Sequence, residues 1–221
     1  MRLLEAVTHG LPEWDGMHVP AGVEQVQELT ERAGAMVLGP GLGRSNGARA
    51  FARELARTTP VPLLIDADGL NAHVGALELL RQRPGPTILT PHTGELARLL
   101  ETDSDDVSAH RLEHARDAAE RTGAIVLLKG DDTIVARPGG PVAVSPGATA
   151  ALATAGTGDV LSGVIGALLS KGLDAFEAAA AGVLAHARAG IVAADRLGAD
   201  HVVAGDVIEA LPQAFATDGT R

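Results

Sequence analysis

Apolar positions in this chain recur with helical spacing in some stretches and as short unbroken runs in others, and the two kinds alternate. Val23, Val26, Leu29 and Ala33 fall three or four apart and predict a helix over 22–33, ended by Gly34. Met36-Val37-Leu38 is an unbroken apolar run, as in a strand buried on both faces, and it enters Gly39-Pro40-Gly41-Leu42-Gly43. Ala48, Ala52, Leu55 and Ala56 share one face of a second helix over 46–57. The run 62–65 predicts a strand ending at Asp66-Ala67-Asp68-Gly69, with a helix following to about Leu80. A third strand over 87–89 ends at Thr90-Pro91-His92-Thr93-Gly94-Glu95 and precedes a short helix over 96–100. Asp103 or Ser104 caps a longer helix to Arg121, and 125–129 is the fourth strand. Strand, loop and helix in regular succession predict an α/β fold, a mostly parallel sheet flanked by helices on both faces.

After the fourth strand the rhythm changes. The runs 133–136 and 142–144, joined by Arg137-Pro138-Gly139-Gly140-Pro141, read as a β-hairpin. A small-residue loop over 153–158 then leads into an apolar helix that ends near Lys171-Gly172. Asp174 with Glu177 has the capping-box spacing for an Ala-rich helix to about Arg196, and Asp206 with Glu209 repeats it for a last short helix to Leu211. Residues 1–21 read as a strand remnant plus loop, and the tail from Thr217 as frayed. With no repeat or low-complexity linker, residues 1–221 are expected to form one domain.

Composition narrows the chemistry. Hydrophobic residues make up 46% of the 221 positions and aromatic ones only 2%, so the core must be aliphatic and helices must pack closely on the sheet. The net charge of −10 argues against nucleic acid or an anionic membrane as the main partner, because both require a basic face. It leaves room for a single nucleotide. The absence of cysteine rules out disulfides, thiolate metal sites and thiol nucleophiles. Residues 1–14 lack a signal-peptide core, and the apolar stretch 178–194 carries His186 and Arg188, so a cytoplasmic protein is expected.

In open parallel sheets ligands bind beyond the carboxyl ends of the strands, and each distinctive motif here falls at such an end. In Gly156-Thr157-Gly158-Asp159 the glycines would let an anion approach the N-terminal turn of a helix, whose N–H groups lack partners. Asp159 then reads as a general base beside an anion hole, although the loop by itself fits an ordinary Asp cap better. Asp66 and Asp68 either hold Mg²⁺ through water or form an Asx turn and cap, and Asn71 shares that ambiguity. Pro91 ends its strand and aims His92 over the sheet edge, placed to donate to a ligand oxygen, while Glu95 in the next turn suits Mg²⁺-bound water. Lys129 ends a buried strand and needs an anion, either a phosphate or Asp131 or Asp132 in Lys129-Gly130-Asp131-Asp132-Thr133. The other histidines show no metal-ligand spacing. His110 and His114 lack the Glu of a zinc motif and are expected to be solvated, and Ser162 lacks a base at fixed spacing.

With these motifs in order, the chain resembles the NAD(P)H-hydrate dehydratase family of the ribokinase-like superfamily. The resemblance rests on 39–43 (GPGLG), 66–71 (DADGLN), 90–95 (TPHTGE), 129–133 (KGDDT) and 156–163 (GTGDVLSG). It implies repair of hydrated NADH and NADPH. ADP or ATP phosphorylates the ring hydroxyl, and phosphate then leaves to restore the dihydronicotinamide. It also implies Mg²⁺, homo-oligomeric, often tetrameric, assembly and a set of roles. Asp159 matches the base, and Gly156, Thr157 and Gly158 match the anion hole, with Gly158 also at the nucleotide. Gly43 and His92 match substrate contacts, Lys129, Gly130, Asp131, Asp132 and Thr133 the nucleotide-binding stretch, and Glu95 a Mg²⁺-supporting carboxylate. Two departures stand out. Roughly one strand-helix-strand unit, about 30 residues or more, is expected to be missing before residue 1, leaving an unpaired sheet edge. Ala148-Thr149 also replaces the family's Gly-Asn, predicting a changed local turn but a retained base. A ribokinase-like kinase of a small vitamin precursor and a catalytically silent nucleotide-binding subunit are the competing readings.

Overall fold

The computed structural model describes residues 6–145, 147 and 149–216, so the start of the stretch 1–21 expected as a strand remnant plus loop, Ala148 and the tail from Thr217 lie outside the described residues. Its centre is a six-stranded sheet of β3 (Met36–Leu38), β4 (Leu63–Ile65), β5 (Thr87–Leu89), β6 (Ile125–Leu128), β7 (Thr133–Ala136) and β8 (Val142–Ser145), in that spatial order. The first four are parallel, whereas β6–β7 and β7–β8 are antiparallel, so the hairpin sits at one edge. The other edge is β3, where Val37 is 38% exposed.

Why the strands read as continuous apolar runs is plain from their two faces. Leu63, Ile65, Leu89, Val126, Leu128 and Ile134 enter one core cluster. Their alternates Leu64, Ile88, Ile125, Leu127 and Val135 enter another on the opposite side. The first cluster is closed by α1 (Val23–Thr30), α2 (Asn46–Thr58), α3 (Ala67–Ala72), α4 (Thr93–Leu100), α5 (Ser104–Ala109) and α6 (Arg111–Thr122). The second is covered by α7 (Thr157–Ser170) and α8 (Ala175–Leu197), which with α9 (Ala204–Phe215) enclose a third, Ala- and Val-rich cluster. The aliphatic composition allows this closeness. A Cβ on Gly182 of α8 would lie 2.4 Å from Ile165 of α7.

Four local expectations are corrected. Residues 13–18 are not a loop but a small hairpin, β1 (Glu13–Trp14) and β2 (Met17–His18), turned by Asp15-Gly16 with positive φ at both. The helix expected after 66–69 and up to about Leu80 instead stops at Ala72, because His73 folds back onto Gly69 and Gly75 takes φ +70, and a 3₁₀ segment Leu77–Gln82 follows. The helix expected from 104 to 121 breaks at His110, with φ −125 and ψ 42. Finally, α9 begins two residues before Asp206, which accepts the Val203 N–H from the third helical position, and continues through Pro212.

Candidate active site

The loops after β3 and β4 lie directly on one another. Gly39 has φ +131, and a Cβ there would stand 1.8 Å from the Asp66 carbonyl oxygen, so only glycine admits the contact. The Gly43 N–H donates to Asp68 Oδ2 at 3.0 Å, and Arg44 Nε meets Oδ1 at 2.8 Å. Burial pushes the Asp68 carboxyl up, but the hydrogen bonds from Arg44 and Gly43 outweigh it and hold the pKa below the ordinary value. Gly43 is also covered, since a Cβ would meet Met17 Cε at 2.1 Å. Met17 belongs to the hairpin that the periodicity of the chain does not show.

Asp66 is buried, and both oxygens of its carboxylate accept hydrogen bonds. Oδ1 accepts the Ala67 N–H at 2.9 Å and Lys129 Nζ at 2.9 Å, while Oδ2 accepts Ser162 Oγ at 2.7 Å. Ala67 is held at φ +48, a conformation that disfavours a residue with a Cβ. The partner of Lys129 is therefore neither Asp131 nor Asp132. It is Asp66, with Glu95 Oε2 at 3.9 Å on the other side. Asp66 thus serves as helix cap and ion-pair partner inside the protein, and Asp68, partly exposed, pairs with Arg44 at the surface.

His92 and Glu95 form the N-terminal capping box of α4. The imidazole Nδ1 accepts from Gly94 N–H at 3.0 Å and Glu95 N–H at 3.4 Å, and Glu95 Oε2 accepts the His92 N–H at 2.9 Å. With Nδ1 an acceptor, the neutral ring carries its proton on Nε2, which lies 3.7 Å from Glu95 Oε2, and the side chain as a whole is exposed. The segment is tied to the next strand end by Lys129 N–H on the Pro91 carbonyl at 2.8 Å. In the 129–133 loop, Arg111 Nη2 donates to the Asp132 carbonyl at 2.8 Å and reaches those of Leu128 and Lys129. A Cβ on Gly130 would stand 2.5 Å from the guanidinium, which would have to move from these carbonyls. Asp131 and Asp132 are exposed, and Thr133 is buried at the start of β7.

The start of α7 completes the arrangement. Gly156 turns with φ +87, and Thr157 Oγ1 donates to the carbonyls of Leu152 and Thr154, locking the loop under the helix. Thr149 caps the 3₁₀ turn that precedes it. The Thr157 N–H turns to Thr154 and that of Val160 to Gly156. Those of Gly158 and Asp159 have no backbone acceptor among the described residues, as expected in a first helical turn. A Cβ on Gly158 would lie 3.8 Å from Lys129 Nζ, which brings the ammonium to these donors. Asp159 is exposed, with no side-chain hydrogen bond or ion pair among the described residues. Below the loop lies His186, with a buried, unpaired Nε2. Burial, partly offset by the Thr157 backbone, lowers its pKa to about 4. From Asp159 an open groove of about 860 Å³ runs between α7 and α9 along Val164, Leu168, Ile208, Leu211 and Phe215.

The structure thus gathers Asp159, Gly158, Lys129, His92 and Glu95 at one end of the sheet. Gly43 stands on the adjoining loop under Met17. Arg111, and the structural roles of Ser162 and His186, are not predicted by the sequence. The only signal for them is a polar residue interrupting an apolar helical face at 162 and 186.

A family model described as NAD(P)H-hydrate dehydratase matches residues 2–213. The chain is 43% identical over 127 residues to a bifunctional NAD(P)H-hydrate repair enzyme of Salinibacter ruber, covering 57% of this chain and 23% of that protein. It is 46% identical over 131 residues to the enzyme of the same name from Mycobacterium tuberculosis, 59% of this chain and 25% of that one. The matched region is thus about a quarter of these relatives' length. The structure superposes on the ADP/ATP-dependent NAD(P)H-hydrate dehydratase of Bacillus subtilis, co-crystallised with ATP/Mg²⁺, with a TM-score of 0.76 and 28% identity, covering 88% of this chain and 69% of that one. A hydroxyethylthiazole kinase of Pyrococcus horikoshii, at 18% identity and a TM-score of 0.68, shares the fold alone. A parallel sheet with its motifs at the strand ends and a family match across nearly the whole chain lead to one conclusion: this chain belongs to the NAD(P)H-hydrate dehydratase family, on a ribokinase-like fold.

Proposed function

We propose that the chain catalyses nucleotide-dependent dehydration of hydrated NADH and NADPH. The observation that carries this reading is the start of α7. Asp159, with no side-chain partner among the described residues, adjoins two N–H groups that have no backbone acceptor among them, with the Lys129 ammonium beside Gly158. The donors and the positive helix end suit the phosphoryl group of ADP or ATP, and Asp159 takes the proton of the attacking ring hydroxyl. Phosphoryl transfer of this kind depends on positioning and charge neutralisation more than on covalent chemistry. Once the hydroxyl is phosphorylated, its carbon–oxygen bond breaks, phosphate departs, a proton leaves the neighbouring ring carbon, and the double bond returns.

The remaining residues take supporting roles. His92 offers its Nε2–H to the substrate, and the Gly43 loop lines the pocket once Met17 swings aside. Lys129 to Thr133 hold the nucleotide, with Arg111 fixing the curvature of that loop. The oxygen donors near this end, Glu95 and Asp159, suit the water shell of a hard cation. Mg²⁺ entering with the nucleotide would add charge neutralisation on the phosphates. A cytoplasmic location and homo-oligomeric assembly belong to the same reading.

The test is to incubate the folded protein with hydrated NADH and ADP or ATP and follow recovery of NADH absorbance. Asp159→Asn is expected to abolish recovery while nucleotide still binds. Release of a stable phosphorylated product would favour a small-molecule kinase. Unchanged turnover in Asp159→Asn would reduce Asp159 to a helix cap.

A further inference from the structure

Away from this site, the break between α5 and α6 gathers three side chains that sequence spacing separates. On a continuous helix, residues eight apart are offset by about 12 Å along the axis. Because the chain breaks at His110, the Nε2 of His114 instead stands 2.9 Å from Asp106 Oδ2, and the Nδ1 of His110 lies 3.0 Å from Asp106 Oδ1. Each imidazole faces a different oxygen of one carboxylate, and the three ligand atoms lie within 4.8 Å of one another. His114 is mostly buried, while His110 and Asp106 are open to solvent. The pairing with both imidazoles also holds the Asp106 carboxyl below its ordinary pKa.

We propose that Asp106, His110 and His114 form a binding site for a divalent transition metal of the zinc type. Zinc bonds to His nitrogen and carboxylate oxygen run at about 2.0–2.2 Å, so adjacent ligand atoms in a tetrahedral site stand about 3.3 Å apart. The two nitrogen–oxygen separations, each to a different oxygen of the carboxylate, lie within a few tenths of an ångström of that value, and all three ligand atoms stay within 4.8 Å of one another. Two nitrogens and one oxygen select zinc, cobalt or nickel over magnesium or calcium, which prefer all-oxygen shells. The exposed side of the cluster leaves a fourth position for water. Binding requires each imidazole to give up the hydrogen it shares with the carboxylate and carry its proton on the other ring nitrogen. The ion would clamp the break that Arg111 immediately follows, and Arg111 braces the carbonyls of Leu128, Lys129 and Asp132. The site is therefore distinct from the nucleotide's Mg²⁺, yet mechanically next to its loop.

The experiment uses the whole protein stripped of metal by a chelator. Zn²⁺ is titrated by calorimetry, Co²⁺ is followed by visible absorption, and thermal unfolding is recorded with each ion and with Mg²⁺. One-to-one Zn²⁺ binding, a visible Co²⁺ band and a raised Tm are expected, with no such rise from Mg²⁺. His110→Gln and His114→Gln should each weaken binding at least about tenfold, the scale on which even outer-shell partners of metals act. His110 is exposed, so its variant tests the site without a folding risk. Absence of stoichiometric Zn²⁺ binding, or equal affinity in both variants and the parent, would overturn the proposal.

Discussion

Acid should loosen this protein earlier than its carboxylates alone would dictate, because two histidines are buried in neutral form. His73 is 2% exposed and bonded through Nδ1 to the Gly69 carbonyl at 2.8 Å. Burial, with smaller contributions from the Arg53 and Arg83 charges and against the Gly69 bond, lowers its pKa from 6.5 to about 4. His186 reaches about 4 chiefly through burial under the anion-hole loop. In both cases the unfolded chain binds a proton, between pH 6.5 and about 4, that the folded chain refuses. Stability is therefore fully present above 6.5 and declines as pH falls towards 4. Each histidine contributes roughly 3 kcal/mol to that decline at about 1.4 kcal/mol per pH unit, which is large beside a total stability of about 5–15 kcal/mol. Urea unfolding at pH 7, 6, 5 and 4.5 should show the midpoint falling steadily. His186→Leu and His73→Gln should each remove about half of the slope. A midpoint flat from 6.5 to 4.5, or an undiminished slope in both variants, would refute the reasoning.

Two further outcomes follow from contacts around Asp66. Lys129→Met strands Asp66, whose side chain is 2% exposed, and should cost about 3–5 kcal/mol, much of it recovered in the double variant with Asp66→Asn. A cost below about 1 kcal/mol would mean the pair is solvated. Gly39→Ala forces a Cβ onto the Asp66 carbonyl and should prevent folding or lower stability by more than about 3 kcal/mol. Gly166→Ala meets only the half-exposed Val37 side chain at 2.7 Å and should cost about 1 kcal/mol. Equal melting temperatures for the two variants would contradict this contrast.

The chain's periodicity by itself determined the α/β class, the four parallel strands, the closing hairpin and the position of each motif at a strand end. It could do so because strand burial and helix amphipathicity are local consequences of side-chain order. The motifs in sequence also carried the family, which the match over residues 2–213 shows. Local misreadings came where one residue's backbone overrode the pattern: Asp15 and Gly16 at positive φ, Gly75 ending a helix, and His110 breaking one.

What only the tertiary structure decided is who meets whom. Lys129 needed an anion, but that Asp66 supplies it across 63 positions depends on the parallel register of β4 to β6. Ser162 read as a poor nucleophile, and folding makes it a donor that holds Asp66. His110 and His114 read as solvated, and the helix break sets them around Asp106. On its own loop Asp159 read as a cap more than as a base. The fold leaves its carboxylate with no side-chain partner among the described residues, beside N–H donors that have no backbone acceptor among them and the Lys129 ammonium. Charge pairing and hydrogen bonding act over a few ångströms in space, and distance along the chain says little about that separation until the sheet has brought its strand ends together.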